Sequence, residues 1–281
     1  MTNYILSIIC TDQKGLVHKI TGVLFQSDTN VERTDEYVDP DTETFFMRVL
    51  YSGEADSNDI LRKLKNILPE KAQIDVQIQR KKNVVVLATK EHHCLSDLLI
   101  RNEFNDLPFN ILAVISNHDS LQDLVSKFGV KYHYLPAEGT EIEDRLKHEK
   151  ELNEVLSNYE FDYIILAKFM RILTPQFTEK YQYKLINIHH SFLPAFIGAN
   201  PYRQAHERGV KIIGATAHFV TDDLDEGPII FQDVIAVNHT KTVAEIAAAG
   251  RDVEKIVLAK ALKLVFEDRV FISGNKTIIF E

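Results

Sequence analysis

Five short apolar runs constrain this chain more than any other feature: NVVVLAT (83–89), FNILAVIS (109–116), YHYLP (132–136), FDYIILAKF (161–169) and KLINIHH (184–190). Each is short for a core helix and too continuously apolar for a strand with one face in water. Helical stretches over 94–103, 119–128 and 142–157 separate most of them. Strands buried on both faces and alternating with helices imply a mostly parallel sheet covered on each side. Ligands of such sheets sit beyond the carboxyl ends of the strands, which directs attention to the residues just after each run. A long helix over 242–266 follows, expected to pack through Val243, Ile246, Val253, Ile256, Val257 and Leu262.

Residues 1–80 follow a different pattern. YILSIICT (4–11) is rich in β-formers and DQKG turns the chain. Leu16, Ile20 and Val23 or Leu24 then fall at helical spacing. VERTDEYVD and ETFFMRVLYS read as strands around the turn Pro40-Asp41, Ser57 as the N-cap of the helix SNDILRKLKNIL, and AQIDVQIQ as an alternating strand. The order is βαββαβ, the ferredoxin-like arrangement. Two helices would cover one sheet face, leaving the other face and the edges open to a second copy. The charged junction Arg80-Lys81-Lys82 divides the chain into domains at 1–80 and 83–281.

Hydrophobic residues make up 45% of the 281, enough for real cores without covalent staples. The net charge of −9 lacks the basic footprint of a nucleic-acid binder. Cys10 and Cys94 are too few for a disulfide framework and suit a reducing compartment. No apolar stretch approaches the ~20 residues of a membrane helix. The opening MTNYILSIICTDQKG has no basic n-region. No nucleic acid, no membrane and a cytoplasmic location are therefore expected.

Chemistry concentrates in two segments. In Ile186-Asn187-Ile188-His189-His190-Ser191-Phe192-Leu193-Pro194, Asn187 and His189 lie two apart on a strand and face the same way. An amide beside an imidazole can stabilise a developing oxyanion, although an isolated pair is usually an ordinary strand end. The second segment runs Gly214-Ala215-Thr216-Ala217-His218-Phe219-Val220 into the acidic loop Thr221–Glu226, then Gly227-Pro228-Ile229-Ile230. That loop lacks the EF-hand spacing of a calcium site. His92, His93, Cys94, His189 and His190 are zinc-ligand types, yet adjacent residues on a short turn rarely share one metal, and no C-x-x-C or H-x-x-x-H occurs. No metal is expected.

Together these segments resemble the folate-dependent formyltransferase superfamily. Its N-I-H-x-S-L-L-P is Asn187 to Pro194, with Phe192 a mild departure, and its G-x-T-x-H-x-V…D-x-G-P-I-I is Gly214, Thr216, His218, Val220, Asp225 and Gly227 to Ile230. Its pterin-side F-M-R-I-L is Phe169 to Leu173. The resemblance implies a Rossmann-like, mostly parallel-sheet formyltransferase domain with Asn187, His189 and Asp225 as its catalytic set. It also implies a folate bound against Met170, Arg171, Ile172, Leu173, Thr216, His218, Asp222 and Gly227. Arg171 is either a ligand for the glutamate tail or a structural ion pair, and Gly198 and Pro201 shape the loop after Pro194.

The subclass follows from one absence and three additions. The stretch Lys90–Leu99 has no glycine, so it cannot form the phosphate cradle of the glycinamide ribonucleotide formyltransferases. The run His93-Cys94-Leu95-x-Asp97-Leu98-Leu99 and Ala249–Lys255 resemble the formyltetrahydrofolate deformylases. So does an N-terminal ACT-like domain with Asp12-Gln13-Lys14-Gly15-Leu16-Val17 as its first turn, and the resemblance then covers essentially the whole chain.

The implied reaction is hydrolysis of 10-formyltetrahydrofolate to formate and tetrahydrofolate. It would supply formate for purine biosynthesis and balance one-carbon folate pools, with no cofactor. Asn187 and His189 would donate to the oxyanion. Asp225 would orient the water and take its proton directly or through a relay, with a pKa raised by burial beside Leu224, Ile229 and Ile230. His93 and Cys94 would shape the wall where other members bind their acceptor. The alternatives are a formyltransferase to a small-molecule acceptor and a catalytically silent folate or amino-acid sensor; the acidic balance sets formylation of initiator tRNA aside. An ACT domain implies a homo-oligomer, dimer or tetramer, with glycine or methionine as effector at Asp12, Lys14, Gly15, Leu16, Val17 and Asn30, or else a role in assembly alone.

Overall fold

The computed structural model describes residues 2–194 and 201–281; Gly198 lies outside the described residues. The chain divides into two compact units. One comprises Met1–Arg80 with Glu267–Phe271 and Phe280–Glu281, the other Lys81–Phe266 with Ile272–Ile279.

The first unit runs β1 (Thr2–Thr11), α1 (Leu16–Gln26), β2 (Asn30–Asp39), β3 (Thr44–Gly53), α2 (Ser57–Ile67) and β4 (Gln73–Ile78). Its antiparallel sheet has the order β2-β3-β1-β4. Alternate residues Leu6, Ile8 and Cys10 of β1 and Phe45, Met47, Val49 and Tyr51 of β3 form one buried face. The helices cover it with Leu16, Ile20, Val23 and Leu24 at one-turn spacing and with Ile60 and Leu64. Asp56, rather than Ser57, caps α2: its side chain accepts from Asn58 N, and Ser57 is the first helical residue.

The opposite sheet face is not open, as the sequence had led us to expect. Phe46 and Arg48 are buried on it. Arg48 donates to the carbonyls of Glu267 (2.9 Å) and Asp268 (3.0 Å), and the Phe271 ring meets Phe46 edge-on at 6.1 Å. These C-terminal pieces, assigned by sequence to the stretch 83–281, complete the first unit's second layer.

The second unit contains β5 (Lys82–Ala88), α3 (His93–Glu103), β6 (Phe109–Ser116), α4 (Gln122–Ser126), β7 (Lys131–Tyr134) and α5 (Ile142–Leu156). It continues with β8 (Tyr163–Ala167), α6 (Pro175–Lys180), β9 (Leu185–His189), α7 (Pro201–Arg208), β10 (Ile212–Phe219), β11 (Ile229–Ala236) and α8 (Val243–Phe266). The sheet order is β11-β10-β9-β8-β5-β6-β7, giving a mixed α/β fold built on a large, mostly parallel sheet. Strands β9 to β7 in that order are parallel, while β10 and β11 add antiparallel at one edge. Val84 to Ala88 of β5 have no exposed surface, as a strand covered on both faces requires. From β5 the chain proceeds one way through β6 and β7 and the other way through β8 and β9. The crevice at that reversal, beyond the carboxyl ends of β5 and β8, is where the fold places a ligand.

Along α8 the buried stripe includes Ile246, Val253, Val257, Leu258 and Leu262, and it takes in Glu254. Ile256, expected on that stripe, is 47% exposed: its neighbours at helical spacing fall on the solvent side. Among the described residues, no helix is long and apolar enough to cross a membrane.

Candidate active site

The pairing of β9 with β10 builds the centre of the site. Register sets His218 opposite Asn187 and Thr216 opposite His189. His218 Nδ1 lies 2.9 Å from the Phe219 carbonyl, which can only accept, so Nδ1 carries the proton. Nε2 is then free to accept from Asn187 Nδ2 at 3.2 Å, which fixes the amide's orientation and leaves its second N–H available. Burial lowers the His218 pKa and keeps the ring neutral for this role.

The loop between β10 and β11 brings Asp225 to the same place. Its backbone is left-handed (φ 60°), a conformation that aspartate tolerates better than most residues. Asp225 Oδ1 lies 3.2 Å from His189 Nδ1 and 3.8 Å from His218 Nε2. His189 is buried, and its Nε2 has no hydrogen-bond partner in the structure. The Asp225 pKa moves opposite to expectation. Burial pushes it up, but the hydrogen bond from His189 and the surrounding imidazoles outweigh burial and hold the carboxyl below its usual value.

Asn187, His189, His218 and Asp225 line one cavity of about 490 Å³. Met170, Arg171, Ile172, Leu173 and Asp222 line it too. Met170 is largely exposed and Ile172 about half exposed, so both present apolar surface. Asp222 is not free, because its carboxylate accepts from the Thr178 hydroxyl. Arg171 donates to the Gly139 carbonyl at 3.0 Å, so its fixed partner is a backbone oxygen rather than a carboxylate.

Four expected ligands lie elsewhere. Thr216 is fully buried; it donates to Ser191 O at 2.9 Å and accepts from Leu193 N at 3.1 Å, pinning the turn after β9. Gly227 packs so closely that a Cβ there would stand 1.8 Å from the Phe219 carbonyl oxygen. His93 and Cys94 begin α3, buried and off the cavity lining. In the first unit, Gly15 (φ 86°) opens α1 beside the exposed residues Asp12, Lys14 and Val17, and Asn30 is exposed at the start of β2. The Leu16 side chain sits in the core, so only its backbone can meet a ligand.

Sequence reasoning missed a buried polar network beside the cavity. Glu254 Oε2 lies 2.8 Å from His93 Nε2 and 3.3 Å from Lys168 Nζ, and its Oε1 accepts from the Tyr202 hydroxyl. Burial pushes the Glu254 pKa up, but His93, Lys168 and Tyr202 together bring it down to about 2. The ligand atoms of His93, Cys94 and Glu254 fall within 4.8 Å of one another. A cation there would face the Lys168 ammonium on the shared carboxylate and a thiol whose pKa burial and Glu254 raise well above its usual value. His190, also unassigned from sequence, stacks on His189 at 5.0 Å, and burial followed by the charge of Lys168 lowers its pKa to about 4. The adjacent histidine pair was the only sequence signal for it. Glu254 lay within the deformylase-like run Ala249–Lys255 without an assigned role, and Lys168 was given no role.

Residues 82–262 match the family described as formyl transferase. A formyltetrahydrofolate deformylase of Escherichia coli O6:H1 is 48% identical over 275 residues, spanning 98% of this chain and 97% of that protein. The crystal structure of a formyltetrahydrofolate deformylase from Pseudomonas syringae pv. tomato superposes with a TM-score of 0.94 at 36% identity, covering 100% of this chain and 95% of that one. A glycinamide ribonucleotide transformylase from Symbiobacterium toebii superposes with a TM-score of 0.68 at 29% identity, over 74% of this chain and 98% of its own. The fold, the clustered Asn187, His189 and Asp225, and a match along nearly the entire sequence agree: the chain belongs to the formyl transferase family and, within it, to the formyltetrahydrofolate deformylases.

Proposed function

We propose that this enzyme hydrolyses 10-formyltetrahydrofolate to formate and tetrahydrofolate. The observation that carries the reading is the His189–Asp225 pair beside Asn187, on the wall of a cavity that also presents Met170, Ile172 and Leu224. The pterin lies against Met170–Leu173 and the Asp222–Asp225 loop. Asp225 Oδ1 is occupied by His189 Nδ1, which leaves Oδ2 to accept from the attacking water. Held ionised, the carboxylate orients that water and holds His189 through its Nδ1. His189, through its unpartnered Nε2, donates to the formyl oxygen as it becomes an oxyanion, together with the second amide N–H of Asn187. Asp225 takes one proton from the water as it attacks; collapse of the tetrahedral intermediate breaks the C–N10 bond, that proton reaches N10 directly or through a relay, and formate leaves after its remaining acid proton is lost to solvent. Hydrolysis changes no oxidation state, so the reaction draws on no redox cofactor.

In this reading the site of action is the cytoplasm, where the two unpaired cysteines, Cys10 and Cys94, stay reduced, and the formate feeds purine biosynthesis. The first unit is an ACT-like domain that assembles the chain as a dimer or tetramer. An amino acid such as glycine or methionine binds at Asp12–Val17 and Asn30. The open backbone at Gly15 and the exposed start of α1 support this assignment.

The test is direct. The purified protein is incubated with 10-formyltetrahydrofolate alone, and formate and tetrahydrofolate are expected in equal amounts. Formyl loss that requires an added amine or nucleotide overturns hydrolysis in favour of transfer.

A further inference from the structure

The mechanism leaves unused the network of His93, Lys168, Tyr202 and Glu254. Lys168 follows β8 and lines the same cavity as Asn187, His189 and Asp225, although its side chain is only 9% exposed. Among the described residues, Glu254 is the carboxylate paired with its ammonium, at 3.3 Å. That carboxylate is shared, since it also accepts from His93 and Tyr202. An ammonium has three N–H donors, and one carboxylate oxygen engages one of them. The other cation on the cavity wall, Arg171, is tied to the Gly139 carbonyl. Lys168 is thus a buried positive charge that shares its carboxylate with two other donors, on a residue that lines the reaction chamber.

Hydrolysis delivers an anion to that chamber. The C–N10 bond breaks and a C–O bond forms; N10 gains one proton and formic acid loses another. A neutral amide and water therefore become a neutral amine, formate and a released proton. Formate forms beside the ionised Asp225, with Asp222 on the same wall, and both repel it. We propose that Lys168 forms a product subsite that receives formate through charge-assisted N–H···O bonds, and that Glu254 sets its strength by competing for the same ammonium. The subsite deepens the hydrolytic reading and rests on it.

Sodium formate is titrated calorimetrically, without folate, into the full-length wild type and the Lys168→Met, Lys168→Arg and Glu254→Gln variants. Formate release from 10-formyltetrahydrofolate is measured separately. Lys168→Met is expected to weaken formate binding about tenfold or more, the loss of a charge-assisted bond, and Lys168→Arg to retain more of it. Glu254→Gln is expected to tighten binding, because the amide still meets His93 and Tyr202 but no longer neutralises Lys168. A purely structural network would shift the Met and Gln variants in the same direction or leave both unchanged, and either outcome overturns the subsite. Melting curves check folding; should Lys168→Met fail to fold, Glu254→Gln decides alone, with tighter binding sustaining the proposal and unchanged or weaker binding ending it. Formate released but bound independently of Lys168 and Glu254 defeats the subsite and leaves hydrolysis standing. Formate bound through Lys168 by a protein that releases none from the folate defeats hydrolysis instead.

Discussion

Asn187 and His218 act as a unit, since a neutral imidazole accepting from Nδ2 at 3.2 Å determines where the other amide N–H points. Removing an oxyanion donor costs on the order of 10²- to 10³-fold in kcat, so Asn187→Ala and His189→Ala should each lose that much. Asp225→Asn should be at least as damaging, because the amide cannot accept the water's proton. His218→Gln, which disturbs the amide's orientation, should cost about 10- to 100-fold, with KM little changed. The Asn187→Ala/His218→Gln double variant should be no worse than Asn187→Ala alone. Steady-state kinetics on variants shown by melting to be folded checks all of these; near wild-type turnover in any two of the Asn187, His189 and Asp225 variants removes the assigned roles. The lowered Asp225 pKa has a sign as well. The carboxylate is ionised at every pH above that value, so its contribution to activity persists through the ordinary aspartate range and is lost only as pH falls through the lowered pKa.

At the level of elements, the antiparallel addition of β10 to β9 matters more than either strand alone. It sets His218 against Asn187, and Thr216 then fastens the turn after β9 through Ser191 and Leu193. On the far side, buried Glu149 of α5 accepts from Thr174 N at 2.7 Å and so anchors the chain just after the cavity-lining Leu173. The Asp225 loop is closed by Gly227, where the Phe219 carbonyl leaves no room for a side chain. Gly227→Ala should therefore destabilise the fold by about 1–3 kcal/mol, the usual cost of overpacking. It should also lower kcat by displacing Asp225, two residues away. Thermal unfolding and turnover measured together test this: a variant that melts and turns over like wild type means the loop accommodates the methyl group and Gly227 does not position Asp225.

For the whole molecule, the chain forms two compact units, and the first is completed by the chain's own C-terminal residues. Phe271 and Phe280 pack together at 5.4 Å and are buried, so a chain cut before Lys82 would expose them and the carbonyls that Arg48 engages. The proposed amino-acid response is therefore to be measured on the full chain. With the second sheet face covered, the proposed assembly is expected through the sheet edges, and light scattering should show a dimer or tetramer. Titration with glycine or methionine should change both formate release and melting temperature. Gly15→Val, a branched residue where φ is 86°, should abolish that response. No binding and no rate change with any amino acid leaves the first unit with a role in assembly alone.

Hydrophobic period and turn chemistry act over a few residues, and the sequence alone therefore determined the kinds of element, their order and the parallel core of the larger sheet. The N-x-H strand and the acidic loop were legible for the same reason: each residue type stands where its chemistry is read locally. Tertiary structure alone decided which of them meet. Asn187 and His218 are 31 residues apart in sequence and His93 and Glu254 are 161 apart, and no local pattern reports such a contact. Glu254 is one charged residue among several on a long helix until folding sets His93, Lys168 and Tyr202 around it. The same limit reversed the sign at Asp225. Burial beside apolar neighbours is visible in sequence and raises a carboxyl pKa, whereas the His189 N–H 3.2 Å away is not visible and lowers it further than burial lifts it. Electrostatic energy depends on separation in space, and only the fold determines that distance.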